Sequence, residues 1–261
     1  MVAMTKKVEN KNLFMSKRNI KIVIQYDGSN YSGWQKQPNK KTIESEIISA
    51  IENLTCQDGI KVNGSSRTDA GVSAMGQVAN FKIDSPIPTE RMAKAISRHL
   101  PPEIVVTEAV EVPSKFDAIS DTKSKMYRYS IFTGKSRPVM QVKHCWHRPG
   151  KLDIEAMDAA IKKLVGKNDF KSFATACDKR TSSVRTILDS SVKQDGLWIY
   201  IDVEADGFLY NMVRNIVGTL VEIGRGRWQV EKMDEILAAK KRTAAGPIAP
   251  ASGLCLIWIK Y

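Results

Sequence analysis

From Asn19 onward the chain passes twice through the same succession of apolar periods, and this repeat limits its fold more than any other feature. Ile20, Ile22, Ile24 and Tyr26 alternate as in a half-buried strand that ends at Asp27-Gly28. Ile43, Ile47, Ile51 and Leu54 then form a helical stripe from about Ile43 to Leu54, with Thr42 as its expected N-cap. Strands are expected at Ile60 to Asn63 and Gln77 to Ile83. Thr89 should cap a second helix carrying Met92, Ala93, Ile96 and Leu100, stopped by Pro101-Pro102, before a strand from Ile104 to Val112.

The second round begins with a strand from Lys125 to Phe132. Asp153 caps a helix carrying Met157, Ala160, Ile161 and Leu164, with Gly166 as its C-cap. Strands Val184 to Val192 and Leu197 to Val203 flank the hairpin signal Gln194-Asp195-Gly196. A helix from about Phe208 to Ile223 follows, then a shorter one around Val230 to Ala239 and a last strand, Leu254 to Tyr261. Each round reads β-α-β-β-α-β, the split βαβ of ferredoxin-like folds. The expected fold is therefore α+β: two ferredoxin-like halves, residues 19–113 and 114–261, each an antiparallel sheet backed by helices, with an active-site cleft between them. Residues 1–18 read as a basic disordered arm, without the apolar run of a signal peptide; Met15 offers an alternative start.

Forty Lys and Arg against 28 Asp and Glu leave a formal charge of +12, a surplus that suits a polyanionic partner. The apolar runs are interrupted by charge well short of the ~18 residues of a membrane span, so no membrane is expected. Cys56, Cys145, Cys177 and Cys255 form no C-x-x-C pair, which fits a reducing, cytoplasmic setting and no disulfide framework. His144-Cys145-Trp146-His147 has no second cluster to complete a tetrahedral metal site and reads better as a strand end before Pro149-Gly150. No metal and no cofactor are expected.

Three segments can carry chemistry. Gly64-Ser65-Ser66-Arg67-Thr68-Asp69-Ala70-Gly71-Val72 lies between strands, with an Arg-x-Asp core and glycines that permit close backbone approach. Its bland alternative is a turn that Asp69 caps. The helix from Phe208 is apolar on nearly every side, so Arg214, on the face of Val217, Gly218 and Val221, needs a carboxylate or phosphate partner. Such a pairing would lower the carboxylate's pKa, but spacing does not say which acid it is. Tyr127 and Tyr129 share a strand face that serves either base stacking or core packing.

Taken in order along the chain, these segments resemble the TruA-type family of transfer-RNA pseudouridine synthases. The resemblance runs through Tyr26-Asp27-Gly28, Tyr31-Ser32-Gly33-Trp34-Gln35, Thr42-Ile43-Glu44, the Gly64–Val72 signature, Tyr127-Arg128-Tyr129, Asp169-Phe170-Lys171-Ser172-Phe173 and Met212-Val213-Arg214-Asn215-Ile216-Val217-Gly218. It implies that Asp69 is the essential aspartate, paired with Arg214. It also implies that Tyr127 packs on the target base, that Arg67 holds the uridine out of its stack, and that Leu254 lines the pocket. A metal-free, cofactor-free homodimer acting on tRNA is implied, with targets on the 3′ side of the anticodon arm (positions 38, 39 and/or 40). Ser73 stands where many members have His, and Asp117 and Ile119 depart from the family pattern.

Three rivals stand beside this reading. A non-catalytic tandem RNA-binding module would leave Asp69 a turn residue. A metal-dependent nuclease would need clustered carboxylates, for which only Asp27 and Glu44 offer themselves near Asp69. A protein-interaction scaffold leaves the basic surplus without a purpose.

Overall fold

Burial of one face of a short strand organises the first half. In the computed structural model, which describes residues 17–175 and 180–261, Ile20, Ile22 and Ile24 of strand β1 (Arg18–Tyr26) are fully buried. Each contributes about 1.5–3 kcal/mol by leaving water. Residues 1–16 and Cys177 lie outside the described residues. Arg18 belongs to the strand rather than to a preceding arm: its guanidinium donates to Glu111 at 2.8 Å and to the Ile87 carbonyl at 2.8 Å.

Helix α1 (Ile43–Thr55) starts as expected, with Thr42 Oγ1 accepting from the Ser45 N–H and Ser45 closing a capping box. Strands β2 (Val62–Gly64) and β3 (Ser73–Ile83), helix α2 (Thr89–Ser97) and strand β4 (Ile104–Val112) complete the half. Thr89 is not the cap of α2. Pro88 occupies that position, and the Thr89 hydroxyl takes a hydrogen bond from Arg18 instead.

The second half comprises β5 (Ser124–Phe132), β6 (Trp146–His147), α3 (Ile154–Lys162), β7 (Gly166–Asp169), β8 (Val184–Asp195), β9 (Trp198–Ala205), α4 (Met212–Gly224), α5 (Lys232–Ala239) and β10 (Leu254–Lys260). Asp153 caps α3 by accepting from the Ala156 N–H at 2.9 Å. Gly166 is not its C-cap: α3 ends at Lys162, and Gly166, at φ +99°, opens β7. Helix α4 begins four residues later than its apolar pattern suggests, because Asn211 adopts a left-handed conformation at φ 61° and breaks the helix there.

Each half places its strands in the order last, first, third, second: β4-β1-β3-β2 and β10-β5-β9-β8, the latter extended by β7. The pairings within this order are antiparallel, as expected for split βαβ units. The two sheets are nonetheless one. A short parallel pairing, Cys255 with Ser73 and Leu256 with Ala74, joins β10 to β3 and makes a ten-stranded sheet. One apolar core runs through both halves, from Ile20 and Ile47 to Ile201 and Leu220. Among the described residues, no helix is long and apolar enough to cross a membrane.

Candidate active site

The junction of the halves creates the site. One edge of β3 is shared: its Ala79–Phe81 end pairs with β2, and its Ser73–Ala74 end pairs with β10. Between these two partners the chain leaves the sheet after Gly64 and returns at Ser73, so the segment carrying Asp69 fills a fork in the sheet.

The motifs that precede it in sequence form its bed. The Trp34 N–H donates to the Thr68 carbonyl at 3.1 Å, the Gly71 N–H to the Tyr31 carbonyl at 3.3 Å, and the Tyr26 hydroxyl meets Thr68 Oγ1 at 2.8 Å. Gly33, at φ +93°, lies so close that a Cβ would stand 2.7 Å from the Thr68 carbonyl oxygen. Fully buried Gln77 grips the main chain of Ser66 from both sides, its Oε1 accepting from the Ser66 N–H and its Nε2 donating to the Ser66 carbonyl. A loop held at this many backbone points keeps Asp69 in one position.

Asp69 does not cap its own turn. Among the described residues, the hydrogen bond to its carboxylate comes from Arg214, Nη1 donating to Oδ2 at 3.0 Å, and both side chains are 15% exposed. Arg214 is itself fixed: Nε donates to the Ala249 carbonyl at 2.8 Å and Nη1 also to Asn211 Oδ1 at 3.1 Å. Two features of α4 bring these partners in. The left-handed turn at Asn211 aims its amide back at Arg214. Gly218 lets the Pro247–Ala249 segment lie directly on the helix, since a Cβ there would stand 1.6 Å from the Pro247 carbonyl oxygen. Asn215 ties α4 to the Asp169–Phe173 motif by donating to the Phe173 carbonyl at 2.7 Å.

Pairing with Arg214 lowers the carboxylate's pKa, as expected, but it does not set the net direction. Burial pushes the Asp69 pKa above the ordinary aspartate value, and the hydrogen bond and charge of Arg214 only partly offset it. The carboxylate is thus less stabilised than one in water and correspondingly more basic.

Tyr127 lies beside this pair, buried, with its hydroxyl 2.9 Å from Ser66 Oγ and its ring edge-on to Phe208 at 5.2 Å. Burial raises its pKa well beyond that of a free phenol, which leaves it a neutral, rigid platform. Asp69, Arg67, Tyr127, Arg214 and Leu254 all line one cleft of about 1040 Å³ between the halves. Arg67 is exposed at its mouth and Leu254, from the junction strand β10, is buried in its wall. From the sequence, Ser66, Phe208 and Asn211 were visible only as members of their segments, and Gln77 and the Ala249 carbonyl were missed, because nothing local marks a residue that acts only on another segment.

The other groups weighed for chemistry are engaged elsewhere. Glu44 accepts from the Lys36 N–H at 2.6 Å, and Asp27 accepts from the Ser29 N–H at 2.9 Å. His147 Nε2 meets the Gly134 carbonyl at 2.9 Å, whereas His144 faces Asp27 at 3.8 Å. The two imidazoles therefore point to different partners.

Comparison with known proteins agrees in extent as well as in motif. The sequence model of the family described as tRNA pseudouridine synthase matches residues 22–119 and 160–261. A tRNA pseudouridine synthase A of Acetivibrio thermocellus is 44% identical over 246 residues, spanning 94% of this chain and 100% of the relative. One of Moorella thermoacetica is 46% identical over 244 residues, spanning 93% and 99%. Among solved structures, an archaeal box H/ACA sRNP Nop10–Cbf5 complex aligns with a TM-score of 0.35 and 11% identity over 77% of this chain and 44% of that one, a likeness too slight to bear on the fold. With the signature loop, the paired arginine and full-length relatives all in place, this chain belongs to the tRNA pseudouridine synthase family.

Proposed function

We propose that the protein isomerises uridine to pseudouridine in transfer RNA, on the 3′ side of the anticodon arm, with Asp69 as the catalytic carboxylate. The observation that carries this reading is the Asp69–Arg214 pair, held at 3.0 Å in a cleft lined by both halves and floored by Tyr127.

The reaction breaks the C1′–N1 bond of uridine, turns the free uracil and forms a C1′–C5 bond; C5 loses a proton and N1 gains one. Atoms and charge balance without an oxidant or a second substrate. What the protein must supply is a carboxylate near C1′ or C6 and a close, dry seat in which the base turns without escaping. Asp69 suits the first task, because burial makes it a stronger nucleophile or base than a solvated aspartate while Arg214 keeps it aimed. Tyr127 and Leu254 suit the second, as a flat face and an apolar wall. Arg67, exposed at the mouth, suits filling the gap left by an extruded base, and the basic surplus of +12 suits the RNA that carries it. A homodimer working in the cytoplasm without metal completes the proposal.

The test is to incubate the protein with unmodified tRNA transcripts and map pseudouridine by carbodiimide labelling and primer extension. Stops confined to the 3′ side of the anticodon arm are expected. Binding of tRNA with no stop anywhere would leave an RNA-binding module in place of the enzyme.

A further inference from the structure

Lys125 has no part in the chemistry described above, yet it lies in the same cleft. It stands two residues before Tyr127 on β5 and so shares its strand face, about 7 Å along the strand. Its ammonium group donates to the Ser65 carbonyl, one position from the Ser66 hydroxyl that meets Tyr127. An ammonium has three donors, and among the described residues no carboxylate lies within ion-pair distance of this one. Among the described residues, the charge that acts on it is the like charge of Arg180, which donates to the Phe208 carbonyl at 2.9 Å and lines the same cleft. Burial, with Arg180 second, lowers the lysine pKa to about 8. Among the described residues no carboxylate offsets this half-buried charge, and a ligand anion in the cleft would do so.

We infer that Lys125 binds a backbone phosphate flanking the uridine in the cleft, and so fixes where along the strand the base enters. A phosphodiester fits better than a uracil carbonyl, because the phosphate carries the negative charge that no described residue supplies to Lys125. The inference rests on the site being a uridine isomerase, and it adds a binding residue to that reading.

The experiment uses full-length tRNA assembled with a single neutral methylphosphonate linkage, 5′ or 3′ of the modified uridine, alongside the all-phosphate RNA. Wild type, Lys125→Met and Lys125→Arg are compared by kcat/KM. On all-phosphate RNA, Lys125→Met is expected to lose about 10- to 100-fold, the scale of one charge-assisted hydrogen bond. Lys125→Arg should stay within about threefold of wild type, since it keeps the charge. On one of the two neutral RNAs the wild type should fall to the level of Lys125→Met, and the substitution should then cost nothing further. Equal losses by Lys125→Met on all three RNAs would mean that the lysine only holds the Ser65 carbonyl, and would overturn the inference. So would a wild type indifferent to both neutral linkages, a result that needs no variant to fold. A wild type that forms no pseudouridine on natural RNA would instead overturn the proposed function.

Discussion

Replacing Arg214 with Met keeps the bulk of the side chain and removes three hydrogen bonds, to Asp69, Asn211 and the Ala249 carbonyl. The carboxylate of Asp69, 15% exposed, is left without its counter-charge. Breaking a buried pair in this way costs about 3–5 kcal/mol. Taking about 3 kcal/mol, and about 2–4 °C per kcal/mol for a chain of this size, the melting point should fall by about 6–12 °C near pH 8. Asp69 can relieve part of this by taking a proton. Its pKa, already raised by burial, must rise further when the lowering influence of Arg214 is gone. A raised folded-state pKa gives stability that is complete below the unfolded value of about 3.9 and lost as pH rises through the folded value. The deficit of Arg214→Met relative to wild type should therefore shrink as the pH is lowered from 8 to 5. Activity should move the opposite way, since it needs the carboxylate. At pH 7 kcat/KM should fall by at least about 100-fold, the cost of a misplaced reacting group, and the acid limb of the pH–rate profile should shift upward. Scanning fluorimetry and single-turnover rates at matched pH values read both. A melting deficit that is the same at pH 5 and pH 8, together with an unshifted acid limb, would refute the coupling of the two residues.

Three further outcomes follow from the same geometry. Gly218→Ala would set a Cβ 1.6 Å from the Pro247 carbonyl oxygen, so it should displace the segment that holds Arg214 and lower both melting temperature and kcat; unchanged activity would contradict that support. Asn211→Gly keeps the left-handed backbone but removes the amide from Arg214, so kcat should drop about tenfold with a loss of about 1 kcal/mol or less in stability, measured by urea unfolding. Tyr127→Phe loses only the Ser66 bond and should stay within about tenfold of wild type, whereas Tyr127→Ala should cost about 3–5 kcal/mol and most activity, because it removes the ring that packs on Phe208.

The parts of the molecule legible in its sequence are those set by neighbours in the chain. β1 was visible because Ile20, Ile22 and Ile24 alternate, and α1 because an apolar stripe follows a capping threonine. The doubled order of elements was visible for the same reason. What escaped depends on distant partners. Ser73-Ala74-Met75-Gly76 carries no strand signal, yet it is strand: β1 pairs with Ala74, and β10 pairs with Ser73 and Ala74, a pairing that fuses two expected sheets into one. The first turn expected of α4 is absent because Asn211 turns left-handed to serve Arg214. The pair at the centre of the site joins residues 145 apart, which no periodicity marks; its identification came from resemblance and its geometry from the fold. The net direction of the Asp69 pKa was not legible, because spacing identifies a partner but not the depth at which the pair lies.

The most direct test of the account is tritium release from tRNA labelled at C5 of uridine, measured for wild type and for Asp69→Asn, with tRNA binding followed in parallel. Asparagine keeps the size of the side chain and removes its charge. The account predicts release by the wild type, none by the variant, and tRNA affinity within a fewfold between them. Release by Asp69→Asn at the wild-type rate would contradict the assignment of Asp69 as the catalytic carboxylate.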